Sequence, residues 1–416
     1  MHSRAFTRRR FLQGAAAASA AAAMSGNTFA LSRQGSSRPE VPELRIGFVA
    51  IQSCASIVAA HEKGFFKKHG VTTTLAKENG WAAVRDKLVS GENLASHLKY
   101  AQPVGCTVGV SGSPKTAMVA PYTLCRGGSV FMVARELANK LTFDPKSWKS
   151  LVEEKKATGE TITVALPLPY GWHGLMYRHF LANGGINADK ELKLITVPPA
   201  QMVQNIKVGT MQACAMVEPW GARGVGDKLT SISMYGHEMW KDHPIKSFGF
   251  MEGWAEANPR TVRALLRGLH EGAMWCDDAK NHAELAKMLS TPTYLNVDES
   301  YILLPLQGRF DWGDGRTKTM PEAAINYSRA THPDERQAAW FMANFRRWGM
   351  VEGPQDHATV ARKVCRAELH EEALRELGLP IDKQPEGEIR LWDGTAFDAA
   401  KAEEYAKSFA IHALKG

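Results

Sequence analysis

The six cysteines form no C-x-x-C pair, and no H-E-x-x-H run or clustered Cys/His set occurs anywhere in the 416 residues. Such spacings would be needed for an iron–sulfur centre, a c-type haem or a zinc site, so a resident metal has no visible ligands. Dinucleotide and phosphate-loop fingerprints are equally absent, and Gly112-Ser113-Pro114-Lys115 lacks the spacing of a phosphate cradle. Gly109-Val110-Ser111-Gly112-Ser113 misses the nucleophile-elbow pattern because its second glycine falls one position early. An enzyme therefore has no recognisable constellation, and neither a cofactor nor a catalytic residue is expected. Beyond residue 30 no stretch approaches the ~18 consecutive apolar residues of a membrane span. No tandem repeat or low-complexity tract follows either, which leaves no case for a solenoid.

Acidic residues are missing from the first thirty positions, MHSRAFTRRRFLQGAAAASAAAAMSGNTFA, which carry four arginines ahead of an alanine run. A basic start, a weakly apolar middle and small residues at Thr28-Phe29-Ala30 are the order of an export leader. Thr7-Arg8-Arg9-Arg10-Phe11-Leu12 resembles the twin-arginine export motif, so residues 1–30 read as a twin-arginine signal peptide and residues 31–41 as a Ser/Arg/Pro linker. No cysteine stands just after the cleavage point to carry a lipid anchor. The expected location is periplasmic, with membrane association only through a partner.

The leader's four arginines account for half of the +8 net charge, leaving a mature chain that is only mildly basic. Its lysines are scattered singly among acids, with no basic stripe interleaved with stacking aromatics, so nucleic acid is not an expected partner whereas a small anion fits. Most cysteines sit in apolar runs such as Gln212-Ala213-Cys214-Ala215-Met216-Val217, which points to packing; spacing alone assigns no disulfide.

Leu44 to Ile51 is an apolar run of strand length, followed by helical spacing over 56–69 ended by Gly70 and a β-branched run from Val71. Strand, helix, strand is the unit of a parallel sheet. The alternation continues with a helix from Trp81 to about Ser90, strands at 129–134, 161–166 and 192–197, a helix carrying His173, and a helix from Gln201 leading into Cys214 to Val217. A second α/β lobe is implied. Asn258-Pro259 is expected to cap a helix with Val262, Leu265, Leu266, Leu269 and Ala273 on one face. After residue 300 turns are expected at Asp314-Gly315 and Asp393-Gly394, with helices near 321–348, 358–377 and 399–412.

Several motifs lie in one order: Gly80-Trp81-Ala82-Ala83-Val84-Arg85-Asp86-Lys87-Leu88, Val197-Pro198-Pro199-Ala200-Gln201-Met202-Val203, Glu218-Pro219-Trp220 and Trp240-Lys241-Asp242-His243-Pro244. Phe310-Asp311-Trp312-Gly313-Asp314-Gly315-Arg316 and Trp392-Asp393-Gly394 extend them. Together they resemble the nitrate- and bicarbonate-binding proteins of ABC uptake systems across essentially the whole mature chain. The resemblance implies an α/β, two-lobed periplasmic binding protein fold of type II-like kind, with the ligand cleft between lobes and a C-terminal extension. The expected divisions are 42–127 for the first part of lobe 1, 128–235 for lobe 2, 236–300 for the return to lobe 1 and 301–416 for the extension.

The same resemblance implies a monomeric, non-enzymatic receptor that captures nitrate, or alternatively nitrite, and delivers it to the membrane permease of an ABC transporter. Its ligand set carries over to Trp81, Gly128, Ser129, His173 and Lys246. Ser53-Cys54-Ala55-Ser56, Gly128-Ser129 and Gly221 depart from the family's usual residues, which keeps bicarbonate, cyanate or a sulfonate-like organic anion as alternatives, and a nitrate sensor for a signalling partner would use the same cleft. Lys246 tilts the reading toward nitrate without metal, because the resemblance places a carboxylate and calcium in the bicarbonate branch.

Each candidate also has an ordinary reading. His173 lies at a helix start between Gly171 and Gly174, where unpaired N–H groups favour an anion and a neutral imidazole offers one N–H. Lys246, after Pro244 in a loop between lobes, supplies the positive charge a desolvated anion needs, although most lysines are simply solvated. Trp81 fits a core position as well as a ligand wall. Ser129 offers a hydroxyl, and Glu218, at a strand end, reads as structural.

Overall fold

The computed structural model describes residues 38–415 except 330, 384 and 385; the expected leader, and the linker up to residue 37, lie outside them. Ten strands build two five-stranded sheets: β1 (Glu43–Val49), β2 (Thr72–Glu78), β3 (Ala95–Lys99), β4 (Met118–Arg126), β5 (Ser129–Ala134), β6 (Thr163–Leu166), β7 (Lys193–Thr196), β8 (Ala213–Val217), β9 (Thr230–Tyr235) and β10 (Pro244–Met251). The first sheet runs β2-β1-β3-β10-β4 and the second β7-β6-β8-β5-β9. In each, parallel strands joined by helices are completed by one antiparallel strand, β10 or β5, next to the centre. The two lobes are therefore built alike, each buried on both sheet faces by its helices, as βαβ units require.

The chain passes from the first sheet to the second through Gly127-Gly128, at φ +75° and +74°. Only glycine holds two successive positions there without strain, and a Cβ on Gly127 would stand 3.2 Å from the Ala324 carbonyl. It returns after β9, so that β10 pairs with β3 and β4. The sheets face each other across short bridges: the Gln52 N–H donates to the Glu218 carbonyl at 3.0 Å, and the Trp220 indole N–H to the Ala50 carbonyl at 3.2 Å.

Beyond the second sheet the chain buttresses both lobes. The hairpin Arg309–Asp311/Thr317–Thr319 turns at Asp314-Gly315 and lies on the second lobe, where Ile232 N–H meets the Trp312 carbonyl at 2.8 Å. A second hairpin turns at Asp393-Gly394, and Asp393 accepts from the His179 ring at 2.8 Å. Helices Glu335–Arg347 and His357–Cys365 pack on the first lobe. All six cysteines are buried and unpaired, and no helix of the described residues is long and apolar enough to cross a membrane.

Several local expectations are corrected. The single helix over 56–69 is two, Ala55–Glu62 and Phe65–Lys68, because Gly64 between them takes φ +74°. Asn258 precedes the helix Pro259–Asp277 but donates its amide to the Trp254 carbonyl instead of capping. The helix expected at 321–348 begins only at Glu335, where the Asp334 carboxylate caps the Arg336 N–H. Those expected near 358–377 and 399–412 are divided by a left-handed Arg366, at φ +43°, or stop at Lys407. Lys246 lies in no loop: it is in β10, between β3 and β4, beside irregularities in the β4 register.

Candidate functional site

Lys246 is fully buried and its Nζ has no hydrogen-bond partner among the described residues. It sits directly opposite Lys99 in the antiparallel β10/β3 register, so both side chains leave the same face of the sheet. They meet at Trp81, the first residue of the helix Trp81–Val89: Lys99 Nζ is 5.0 Å and Lys246 Nζ 5.1 Å from its ring centroid. The indole is fixed from behind by His97, edge-on at 5.2 Å. His97 in turn accepts from Val49 N–H at 3.4 Å, which leaves its Nε2–H for Ser53 Oγ at 3.2 Å. Gln102 ties the ends together, donating to the Trp81 carbonyl at 2.7 Å and accepting from the Lys99 N–H at 2.9 Å.

The second lobe answers with the helix Trp172–Asn183, whose N-terminus carries no side-chain cap. Gly171 lets it approach, since a Cβ there would stand 3.1 Å from Lys99 Cδ, while Gly174 fits the helix to its own preceding loop, where a Cβ would lie only 2.1 Å from the Pro169 carbonyl oxygen. His173 Nδ1 lies 3.2 Å from Lys99 Nζ and His173 Nε2 2.9 Å from the Met216 carbonyl. A carbonyl only accepts, so Nε2 carries the proton and Nδ1 accepts from the lysine. The single N–H expected to face a ligand is thus already used on the backbone of β8, a departure from the role read for His173.

Trp172 stacks on His243 with ring centroids 4.0 Å apart. A Cβ on Gly236 would lie 2.7 Å from both His243 Nε2 and Ser129 Cβ. Ser129 opens β5, its hydroxyl buried and without a partner, as are the indole N–H groups of Trp81 and Trp172. Gly128 is engaged through its carbonyl, which accepts from Glu218 N–H at 3.0 Å. Glu218 itself turns inward to cap Ala222 N–H at 2.9 Å, and burial pushes its carboxyl up to about 7.

Trp81, Ser129, His173 and Lys246 therefore belong to one continuous buried cluster, joined by Lys99, His97, Trp172 and His243, which the sequence reading had not singled out. The missed signal was Ala95-Ser96-His97-Leu98-Lys99, a strand whose alternate residues are a histidine and a lysine. Burial dominates the electrostatics. It lowers the Lys246 amine from 10.5 to about 7 and holds Lys99, which also feels Lys246, well below its ordinary value. His97 and His173 are kept neutral by burial and by both lysines. No carboxylate among the described residues pairs with either lysine, and no three His, Cys, Asp or Glu residues there are grouped to hold a metal ion. The cluster can donate hydrogen bonds and positive charge from a dry wall; it contains no base set against a nucleophile.

Two similarly wound lobes, closed on a cluster drawn from both, define a periplasmic binding protein. The chain belongs to the NMT1-like family, matched over residues 37–290. It is 30% identical over 440 residues, 99% of either chain, to the nitrate/nitrite binding protein NrtA of Synechococcus elongatus. With the nitrate/nitrite binding protein NrtA of Nostoc sp. it shares 31% over 384 residues, 89% of this chain and 86% of that one. The crystal structure of the periplasmic nitrate-binding protein NrtA from Synechocystis superposes with a TM-score of 0.85 at 29% identity, covering 90% of this chain and all of the other. These relatives are binding proteins, not enzymes.

Proposed function

We propose that this chain is a solute-binding protein that captures nitrate outside the cytoplasmic membrane and hands it to an ABC permease. The observation that carries the reading is Lys246: a fully buried amine on an interior strand, without hydrogen-bond partner or acid among the described residues. Burying a charge is tolerable only when something neutralises it, and a small anion between the lobes would. Nitrate is planar and weakly hydrated, so a few donors and one indole face can replace its water. In this reading Trp81 and Lys246 hold it from the first lobe, while Ser129, the Gly128 segment and the start of the His173 helix close on it from the second. The relatives' names support nitrate, and the arginine-rich leader supports delivery by the twin-arginine route.

The test is calorimetric titration of metal-free mature protein with nitrate, nitrite, bicarbonate and cyanate. Nitrate should bind without metal and raise the melting temperature by mass action. Obligatory calcium with bicarbonate as the tightest ligand would overturn the assignment.

A further inference from the structure

We propose that Lys99 is a second cationic contact of the bound anion and that His173 acts by holding Lys99, so the anion lies between two amines rather than between an amine and an imidazole. The proposal rests on the anion-binding reading above. It starts from the tautomer of His173: with Nε2–H on the Met216 carbonyl, the ring has only a lone pair left, and that lone pair accepts one hydrogen from Lys99 Nζ at 3.2 Å. A lysine amine has further hydrogens to give, and among the described residues no other acceptor is in range of Lys99 Nζ. Lys99 is 2% exposed, so they are turned away from bulk solvent.

Position makes the amine relevant to the ligand. Lys99 and Lys246 are register partners on one sheet face and stand at nearly equal distances from the Trp81 ring. Like charges directly opposite across a strand pair are unfavourable, and here both are dry and lack an acid. The titratable groups that bear on the pair, His97 from β3, His173 from the second lobe, His243 just before β10 and the Cys125 thiol from β4, are neutral or uncharged by burial. Among the described residues no negative charge neutralises the pair. An anion does so, and the second lobe brings Gly171 against the Lys99 stem, where a Cβ would stand 3.1 Å from Cδ and make the stem shift. Lys99 thus becomes the donor directed at the ligand, and His173 a positioning residue that fixes its direction.

The experiment is a nitrate titration of the mature parent, Lys99→Met, His173→Leu, His173→Gln and the double variant Lys99→Met/His173→Leu, with anion-free melting as the control for folding. Lys99→Met should weaken nitrate binding roughly tenfold or more, the scale of a lost charged hydrogen bond, while folding as well as the parent or better. His173→Gln keeps an acceptor for Lys99 and a donor for Met216, so it should retain most of the affinity that His173→Leu loses. Once Lys99 is Met, His173→Leu should change little more. If Lys99→Met alone does not fold, Lys99→Gln serves in the same cycle. Parent-like binding by the folded Lys99 variant overturns the proposal, as do losses that add in full, since additive losses mean His173 meets the anion itself. A parent that binds no nitrate is a different result, and sinks the nitrate reading instead.

Discussion

Replacing Lys246 with Met deletes one charge from a site that has no acid to balance it, and the effect should differ in sign between anion-free and anion-bound protein. In the anion-free closed form, burial lowers the amine from 10.5 to about 7, which at ~1.4 kcal/mol per pKa unit is about 5 kcal/mol of unfavourable charge burial. Parting the lobes rehydrates the amine, so this is a ceiling. Met keeps most of the stem in place and removes the charge, and the anion-free variant should be about 1–4 kcal/mol more stable, as when other buried charges give way to apolar groups. In the anion-bound form the same change removes the ligand's cation and should weaken nitrate by about 2 kcal/mol or more. The pH dependence follows. Between about 7 and 10.5 the unfolded chain holds a proton on Lys246 that the folded chain has released, so this group makes stability rise with pH across that window, and its penalty is complete below it. Denaturant melts of parent and variant at several pH values, with and without saturating nitrate, read all three effects. A Lys246→Met protein that is less stable without anion, or that binds nitrate like the parent, refutes the reasoning.

The buried neutral histidines His243, His270 and His370, lowered from 6.5 to about 3, about 4 and about 3, should make stability fall as pH drops from 6.5 toward 4. The unfolded chain takes up those protons first, at a slope of about 1.4 kcal/mol per pH unit for each group; chemical denaturation that is flat over this window contradicts their burial as neutral rings. Gly236→Ala drives a methyl into His243 and Ser129 and should cost about 1–3 kcal/mol through overpacking, lowering both the melting temperature and nitrate affinity; unchanged values of both would show that this wall of the cluster has room. Changing Arg8 and Arg9 together to Lys should leave folded precursor inside the cell, scored by fractionation, and undiminished delivery would assign the leader to another export route.

Much of the scaffold could be read from residue order because local chemistry and global structure agree there. The apolar run at Leu44 became β1, the motif beginning Gly80-Trp81 became the helix Trp81–Val89, and Asp314-Gly315 and Asp393-Gly394 became hairpin turns. Agreement failed where tertiary contacts override spacing. Helical periodicity over 56–69 cannot show that Gly64 adopts a left-handed conformation, and the 321–334 segment is fixed by distant partners, such as the Asp277 carboxylate that accepts from Tyr327 and Ser328 N–H. Of the cluster, Trp81, Ser129, His173 and Lys246 were named through the family resemblance, not through any pattern of their own. Lys99 was invisible to both, because no element was read between the helix beginning at Trp81 and the strand at 129–134, where β3 lies.

That omission has a physical content. A central strand buried on both faces is normally a continuous apolar run, and β3 and β10 break the rule at His97, Lys99 and Lys246, all buried and all on one face. Departures from local consistency persist where another requirement outweighs stability. If the three were merely tolerated, an acid or a hydroxyl would be expected beside each amine, as elsewhere in this chain Glu78 meets Lys87 and Glu284 meets Lys63. Instead the lysines are given an indole face, a histidine lone pair and no carboxylate among the described residues, so their charge is costly until an anion joins them. The deficit of negative charge in an otherwise well-paired protein is what a small anion entering between the lobes would correct.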